Sequence, residues 1–182
     1  MEINLLVPVW VIGSYDKAGK ANMMAAAWVG ICCSSPPAVT VSLRKATSTY
    51  HNIMERKAFT VNVPSEKYVR ETDFFGLASG RDTDKLALAG LTPVRSSNVD
   101  APYIKEFPVK AECKLLKTLE VGLHTMFIGE IIDTKPGESA PGGPPSMMIF
   151  DPKNREYLQA GKKLGKAFSI GEKLAAKRAQ AH

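Results

Sequence analysis

Cysteine is scarce in this sequence and poorly placed for a framework. The chain has three, and two of them, Cys32 and Cys33, are neighbours. An odd count without C-x-x-C spacing supports neither a disulfide scaffold nor a zinc cluster. Histidine adds no metal set: His51, His124 and His182 lie far apart without carboxylates at ligand spacing, so no metal is expected. Long apolar runs are missing as well. Met23 to Cys33 gives eleven residues before Ser34-Ser35-Pro36-Pro37, well short of the ~20 that span a bilayer. MEINLLVPVW carries an acid where a secretory signal carries basic residues. The expectation is a cytoplasmic protein with no membrane association. No strand runs into a G-x-G-x-x-G turn and helix, which argues against a Rossmann-type dinucleotide site.

What is present has the composition of a globular domain. The chain is 182 residues long, 45% hydrophobic and 23% charged, which suits one domain over residues 1–182 with a single sizeable core. Its charge is unevenly placed. Residues 152–182 hold eight Lys or Arg against two Glu, which accounts for the whole net charge of +6. A nucleic-acid binder more often carries its basic excess on the body of the fold, with aromatic residues interleaved. A solvated basic C-terminal helix at Gly171 to Gln180 is the better reading, with no nucleic-acid partner.

The periodicity along the chain is mostly that of strands. VWVIGSYD at Val9 to Asp16 reads as a strand, followed by a turn with Gly19 at a permissive position. Ala21 to Cys33 has small residues that suit a helix, but it lacks a polar helical face. A buried strand is the preferred assignment, with Cys32 and Cys33 as small hydrophobes; a redox pair is the alternative. Ala38 to Leu43 alternates as a strand, Thr47, Ser48 and Thr49 offer caps for a short helix to about Arg56, and Ala58 to Val63 is a further strand. Ser65 is a plausible cap for a helical segment reaching Leu77. Asp84 can cap a short helix from Lys85 to Ala89 that Gly90 ends. Val109 to Leu119 and His124 to Thr134 read as a long hairpin. Gly137 to Pro145 is a Pro/Gly loop, and Met147 to Phe150 and Arg155 to Gln159 read as final short strands. Strands joined by hairpins with small helices inserted imply a mainly β fold, an antiparallel barrel rather than a parallel sheet.

Two loops then stand out for their donors. After the strand ending near Leu43 come Arg44, Lys45, Thr47, Ser48 and Thr49, a planar fork, a point charge and three hydroxyls at the mouth of a helix. Helix N-termini carry unpaired N–H groups and the positive end of the dipole, which favour an anion. Ser79-Gly80-Arg81, with Thr83 and Lys85, repeats the recipe with glycine for close backbone approach. Each loop alone reads better as caps and solvated cations. Together they make a phosphorylated ligand an equal alternative to that reading.

The segments VIGSYDKAGKANMMAAAW, PPAVTVSLRKATSTYHNI, FTVNVPS, SGRDTDK, GLTPVRSSNVDAPYIKEFPVKAECK, GLHTMFIGEI and GKAFSIG occur in that order. Over about Leu5 to Glu172 the chain resembles the flavin reductase-like family of FMN-binding split barrels, especially its flavoredoxin-like branch. The resemblance implies an antiparallel split β-barrel, a homodimer, and FMN held non-covalently near the subunit interface. It implies that Asn22, Met23, Met24, Ala25, Ala26, Ala27 and Trp28 lie along the flavin ring, mostly through backbone, although tight strand packing also explains Ala25 and Ala26. Ser42, Leu43, Arg44, Ser48, Thr49 and Asn52 would line the flavin and its ribityl phosphate, with Ser79, Gly80, Arg81 and Lys85 as the second arm of the phosphate grip. His124 matches a histidine that many such reductases place beside the flavin or nicotinamide. Here Leu123 stands where they carry aspartate, and a packed strand histidine is the other reading. The implied activity is an oxidoreductase: NAD(P)H-dependent flavin reduction, with free flavin or a redox protein as acceptor, or flavoredoxin-type electron carriage. A non-catalytic flavin store or sensor is the alternative.

Overall fold

A computed structural model describes residues 4–137 and 147–161. The expected C-terminal helix, most of the basic tail, the GKAFSIG segment and nearly all of the Pro/Gly loop lie outside these residues. The elements run β1 (Val7–Pro8), β2 (Trp10–Tyr15), β3 (Ala21–Ala26), β4 (Val29–Ser34), β5 (Pro37–Arg44), α1 (Ser48–Arg56) and β6 (Ala58–Val63). A 3-10 turn (Glu66–Tyr68) leads into α2 (Val69–Leu77) and α3 (Lys85–Ala89). Then come β7 (Pro93–Arg95), β8 (Pro102–Ile104), the long pair β9 (Val109–Val121) and β10 (His124–Pro136), β11 (Met148–Asp151) and β12 (Glu156–Gln159).

Seven strands form one antiparallel sheet in the order β3-β2-β6-β9-β10-β5-β4. Its two edge strands, β3 and β4, are consecutive in the chain and separated only by Ala27-Trp28. The sheet therefore curls until its edges approach each other without pairing.

The expected single strand over Ala21 to Cys33 is corrected here. The chain bends at Ala27-Trp28, and the second half becomes an edge strand that pairs only with β5. With strand pairing on one side only, Cys32 and Cys33 are exposed rather than buried, and a register shift falls between Ile31 and Cys33. Strands β1, β7 and β8 were not anticipated. They are two or three residues long, too short to show alternation.

Period-2 alternation sorts the sheet's side chains into two cores. Ile12, Val39, Val41, Leu43, Phe59, Val61, Cys113 and Phe127 point into the barrel, where Ile53 of α1 joins them. Tyr50 meets the Phe127 ring edge-on at 5.4 Å. Neighbouring residues Val11 and Met23 point the other way, into a cluster with Phe75, Leu86, Ile104 and Phe107. Each fully buried apolar side chain of this size stabilises by about 1.5–3 kcal/mol. The outer cluster clamps α2 and α3 against β3, and so delivers the Ser79–Lys85 loop to the mouth of α1.

Buried polar groups tie down the connections. Asn62 accepts from the Ile104 N–H at 2.9 Å and donates to the Val11 carbonyl at 3.1 Å, joining β8 to β2 and β6. The Glu112 carboxylate accepts from the N–H groups of Ser97 (3.2 Å) and Asn98 (2.9 Å) and from the ammonium of Lys135. Burial opposes ionisation of Glu112, but these hydrogen bonds together hold its carboxyl below the ordinary value.

Candidate functional site

The site begins where β5 ends. Thr47 is the N-cap of α1, with extended backbone (φ −84, ψ 144); its hydroxyl accepts from the Tyr50 N–H at 3.3 Å and donates to the Arg44 carbonyl at 2.9 Å. No acidic residue occupies the first turn, so the positive end of the helix is uncompensated from within. Thr49 is buried and accepts from Asn22 Nδ2 at 2.9 Å. That bond joins α1 to the start of β3. Asn52, one turn further on, donates to Ser14 Oγ at 3.0 Å.

The second loop reaches the same place. Arg81 donates from Nη2 to the Ala46 carbonyl at 2.8 Å, and its own N–H bonds to Ser79 Oγ at 3.3 Å. Lys85 is 4% exposed, and its ammonium donates to the carbonyls of Phe75 and Ala78, each at 3.2 Å. It thus caps the C-terminal end of α2. Burial pushes its amine down from 10.5 to about 8.

These groups surround a cavity of about 200 Å³. Asn22 and Met24 line it from β3, Ala46–Thr49 from the entry to α1, Phe75–Ala78 from the end of α2, and Ser79–Arg81 with Lys85 from the loop and α3. A second cavity of about 540 Å³ lies on the other side, sharing Asn22, Ser48, Gly80 and Arg81 and adding Asn52, His51 and the Asp16–Ala21 turn.

Where the cavities meet, the polar atoms are unfinished. Asn22 Oδ1 and Ser48 Oγ are buried without a hydrogen-bond partner, a state that costs about 1–3 kcal/mol for each group unless a ligand or water satisfies it. Gly80 is required by the same contact: a Cβ there would stand 2.0 Å from Asn22 Oδ1. One acceptor, one hydroxyl, unpaired helix N–H groups, Arg81 and Lys85 converge on a small volume. This donor set suits a phosphate monoester bearing hydroxyls, so the residues fit a ribityl phosphate.

The structure brings together Asn22, Met24, Ser48, Thr49, Ser79, Gly80, Arg81 and Lys85, with Asn52 at the second cavity. Other sequence candidates are placed differently. The Met23 side chain sits in the outer core and Ala26 and Leu43 in the barrel core, leaving only their backbone for a ligand. Ala25 packs towards α2, where a Cβ on Gly76 would meet it at 3.6 Å. Ala27 and Trp28 form the bend, and the Trp28 carbonyl accepts from the Ser42 N–H at 2.9 Å. Arg44 is exposed and is the cross-strand neighbour of half-buried His124; neither lines either cavity. Sequence reasoning missed the wall supplied by Phe75–Ala78. Its carbonyl-capping partner, Lys85, was the available signal.

Comparison with known proteins gives a consistent answer. A family model described as "Flavin reductase like domain" matches residues 4–158. Flavoredoxin of Desulfovibrio vulgaris (Miyazaki F) is 49% identical, with a TM-score of 0.86 over 94% of this chain and 96% of that one. Flavoredoxin from Methanosarcina acetivorans is 32% identical, with a TM-score of 0.85 over 96% and 98%. A candidate flavin reductase with a split barrel domain from Shewanella frigidimarina shares the fold at 21% identity, with a TM-score of 0.79 over 90% and 87%. The architecture is therefore an antiparallel split barrel with short helices, and the chain belongs to the flavin reductase-like domain family.

Proposed function

We propose that this chain binds FMN non-covalently and works as an oxidoreductase, with the flavin phosphate at the junction of α1 and the Ser79–Lys85 loop. The observation that carries this reading is the convergence of both loops on buried Asn22 Oδ1 and Ser48 Oγ, which have no partner of their own. The family model and the likeness to two flavoredoxins support a flavin ligand. Bound FMN would supply the redox chemistry by accepting and passing on electrons. The chain's residues hold and orient it: Ser48, the α1 N–H groups, Arg81 and Lys85 neutralise the phosphate, Asn22 accepts from a hydroxyl, and Met24 covers an apolar face.

Electrons arrive from NAD(P)H in a reductase, which passes them to free flavin or a redox protein. In a flavoredoxin-type carrier they move between protein partners. The exposed apolar side chains Ile31, Leu119, Val121 and Leu123, on β4 and the β9–β10 hairpin, favour a homodimer. Among the described residues no helix is long and apolar enough to cross a membrane, and the cytoplasm is the proposed compartment.

Flavin absorbance of the purified protein, or uptake of added FMN, is the first test. Failure to bind FMN overturns the reading. Anaerobic mixing with NADH and NADPH then separates the two modes: bleaching within seconds identifies a reductase, and no reduction by either donor identifies a carrier.

A further inference from the structure

Helix α1 opens the ligand site at its first turn, and its last residue makes a connection that the phosphate grip does not use. Arg56 lines neither cavity, and its side chain is 26% exposed. The guanidinium reaches the β2–β3 turn. Nε and Nη2 donate to the Asp16 carbonyl at 3.2 and 2.6 Å, and Nη2 donates to the Lys17 carbonyl at 3.1 Å. On the other side, Nη1 donates to Asp100 Oδ2 at 3.0 Å, while Arg95 stands 3.6 Å from Asp100 Oδ1. The loop that carries Asp100 is itself pinned to the sheet, because the Ser97 and Asn98 N–H groups donate to buried Glu112 on β9. One planar fork thus ties α1, the β2–β3 turn and the β7–β8 loop together. An ammonium has no such fixed geometry.

The turn held in this way is a wall of the ligand site: Asp16–Ala18, Lys20 and Ala21 line the larger cavity together with Ser48 and Arg81. Its own hydrogen bonds only close it on itself. The Gly19 N–H donates to the Asp16 carbonyl at 3.1 Å, and the Lys20 N–H donates to Asp16 Oδ1 at 2.8 Å. A Lys17–Glu55 ion pair at 3.4 Å also crosses to α1, but with side chains 84% and 46% exposed it contributes little. We propose that Arg56 is a positioning residue for the ligand site, its fork fixing the Asp16–Lys20 turn against α1 and so setting the wall that a bound flavin meets. The proposal rests on the FMN reading for the identity of the ligand, but not for the tie itself. Asp100 offsets the charge of the guanidinium, so Arg56 acts through backbone placement rather than through its field. Its loss therefore weakens FMN and riboflavin alike, unlike the loss of Arg81 or Lys85.

The test titrates the full chain and its Arg56→Lys and Arg56→Ala variants with FMN and riboflavin by flavin fluorescence, at a temperature where thermal unfolding shows each to be folded. Both variants are expected to bind both flavins about tenfold more weakly, with lysine no better than alanine. Hydrogen exchange should quicken at the Gly19 and Lys20 amides, while the Lys57 amide, bonded to the Ile53 carbonyl at the end of α1, keeps its rate. Full affinity in Arg56→Lys, or a loss confined to FMN, overturns the proposal, because charge rather than the fork is then at work. Unchanged affinity for both flavins overturns it as well. If neither Arg56 variant folds, Asp100→Asn carries the test: it loosens the guanidinium and is expected to weaken both flavins about threefold, and no change overturns the proposal. If the wild type binds no FMN, the flavin reading fails, and hydrogen exchange alone decides: faster exchange at Gly19 and Lys20 in Arg56→Lys supports the positioning role, and unchanged exchange overturns it.

Discussion

Lys85 gives opposite pH dependences to folding and to ligand binding. Its amine is buried against two carbonyls and titrates at about 8 rather than 10.5. Below about pH 8 the residue is protonated in folded and unfolded chains alike, and it adds no slope. Between about 8 and 10.5 the unfolded chain holds a proton that the folded chain has lost, so stability rises with pH. The full difference is about 3 kcal/mol, from about 1.4 kcal/mol for each tenfold change in proton affinity. FMN affinity moves the other way. A phosphate dianion in the cavity favours the ammonium, so binding is strongest below pH 8 and weakens by up to about tenfold for each pH unit above it. The phosphate stays dianionic throughout, because its second ionisation lies near about pH 6. Denaturant unfolding of the apo protein and fluorescence titration of FMN and riboflavin, from about pH 7 to 10, measure both slopes. Lys85→Met removes both, and riboflavin affinity shows neither. Flat FMN affinity across this range, or an equal decline for riboflavin, refutes the placement of the phosphate beside Lys85.

Four other perturbations test the site and the fold. Gly80→Ala places a methyl in the space of Asn22 Oδ1 and is expected to weaken FMN by more than tenfold, at a stability cost of about 1–3 kcal/mol, by titration and thermal unfolding. Arg81→Ala removes the bond to the Ala46 carbonyl and is expected to weaken FMN by about tenfold, a charge-assisted contact, with riboflavin little changed. Thr47→Ala removes the α1 cap and should cost about 1 kcal/mol in unfolding free energy. Burial pushes the Cys113 thiol up to about 12, so mass spectrometry after iodoacetamide treatment near pH 8 should find Cys113 unmodified in the native protein and modified in the unfolded one.

The sequence carried the elements that are long and locally determined. Thr47, Asp84 and Gly90 announced helix ends by their own chemistry, and β6 and the β9–β10 hairpin by alternation and a Gly turn. The strand boundary inside Ala21 to Cys33 was not legible. Its bend at Ala27-Trp28 is set by closure of the sheet rather than by a local turn residue, and both halves are equally apolar. The donor-rich loops were visible as composition, and their convergence was not. It depends on Phe75 and Leu86 packing on Met23 across the outer face of β3, contacts between residues far apart in the chain, which no local pattern encodes.

The same packing explains why Asn22 occupies the meeting point. Met23 points outward to the α2–α3 cluster, while Met24 packs against the barrel core and Ala26 sits within it. Asn22 falls on the barrel side near the strand's start, beyond the reach of the apolar cores. Its amide is held by Thr49 from α1, and its oxygen is approached by Gly80 from the second loop. Both arms of the grip therefore meet at one side chain. A polar residue with a buried unpaired acceptor at that point costs folding free energy. An aspartate would add a charge repelling phosphate, and an alanine would leave Thr49 without its donor. Asn22→Leu removes the unpaired acceptor together with the donor to Thr49, two opposed effects, so apo stability should change by no more than about 1 kcal/mol while FMN binding is abolished. A variant that loses stability and ligand affinity in equal measure would mean that Asn22 serves the fold rather than the site.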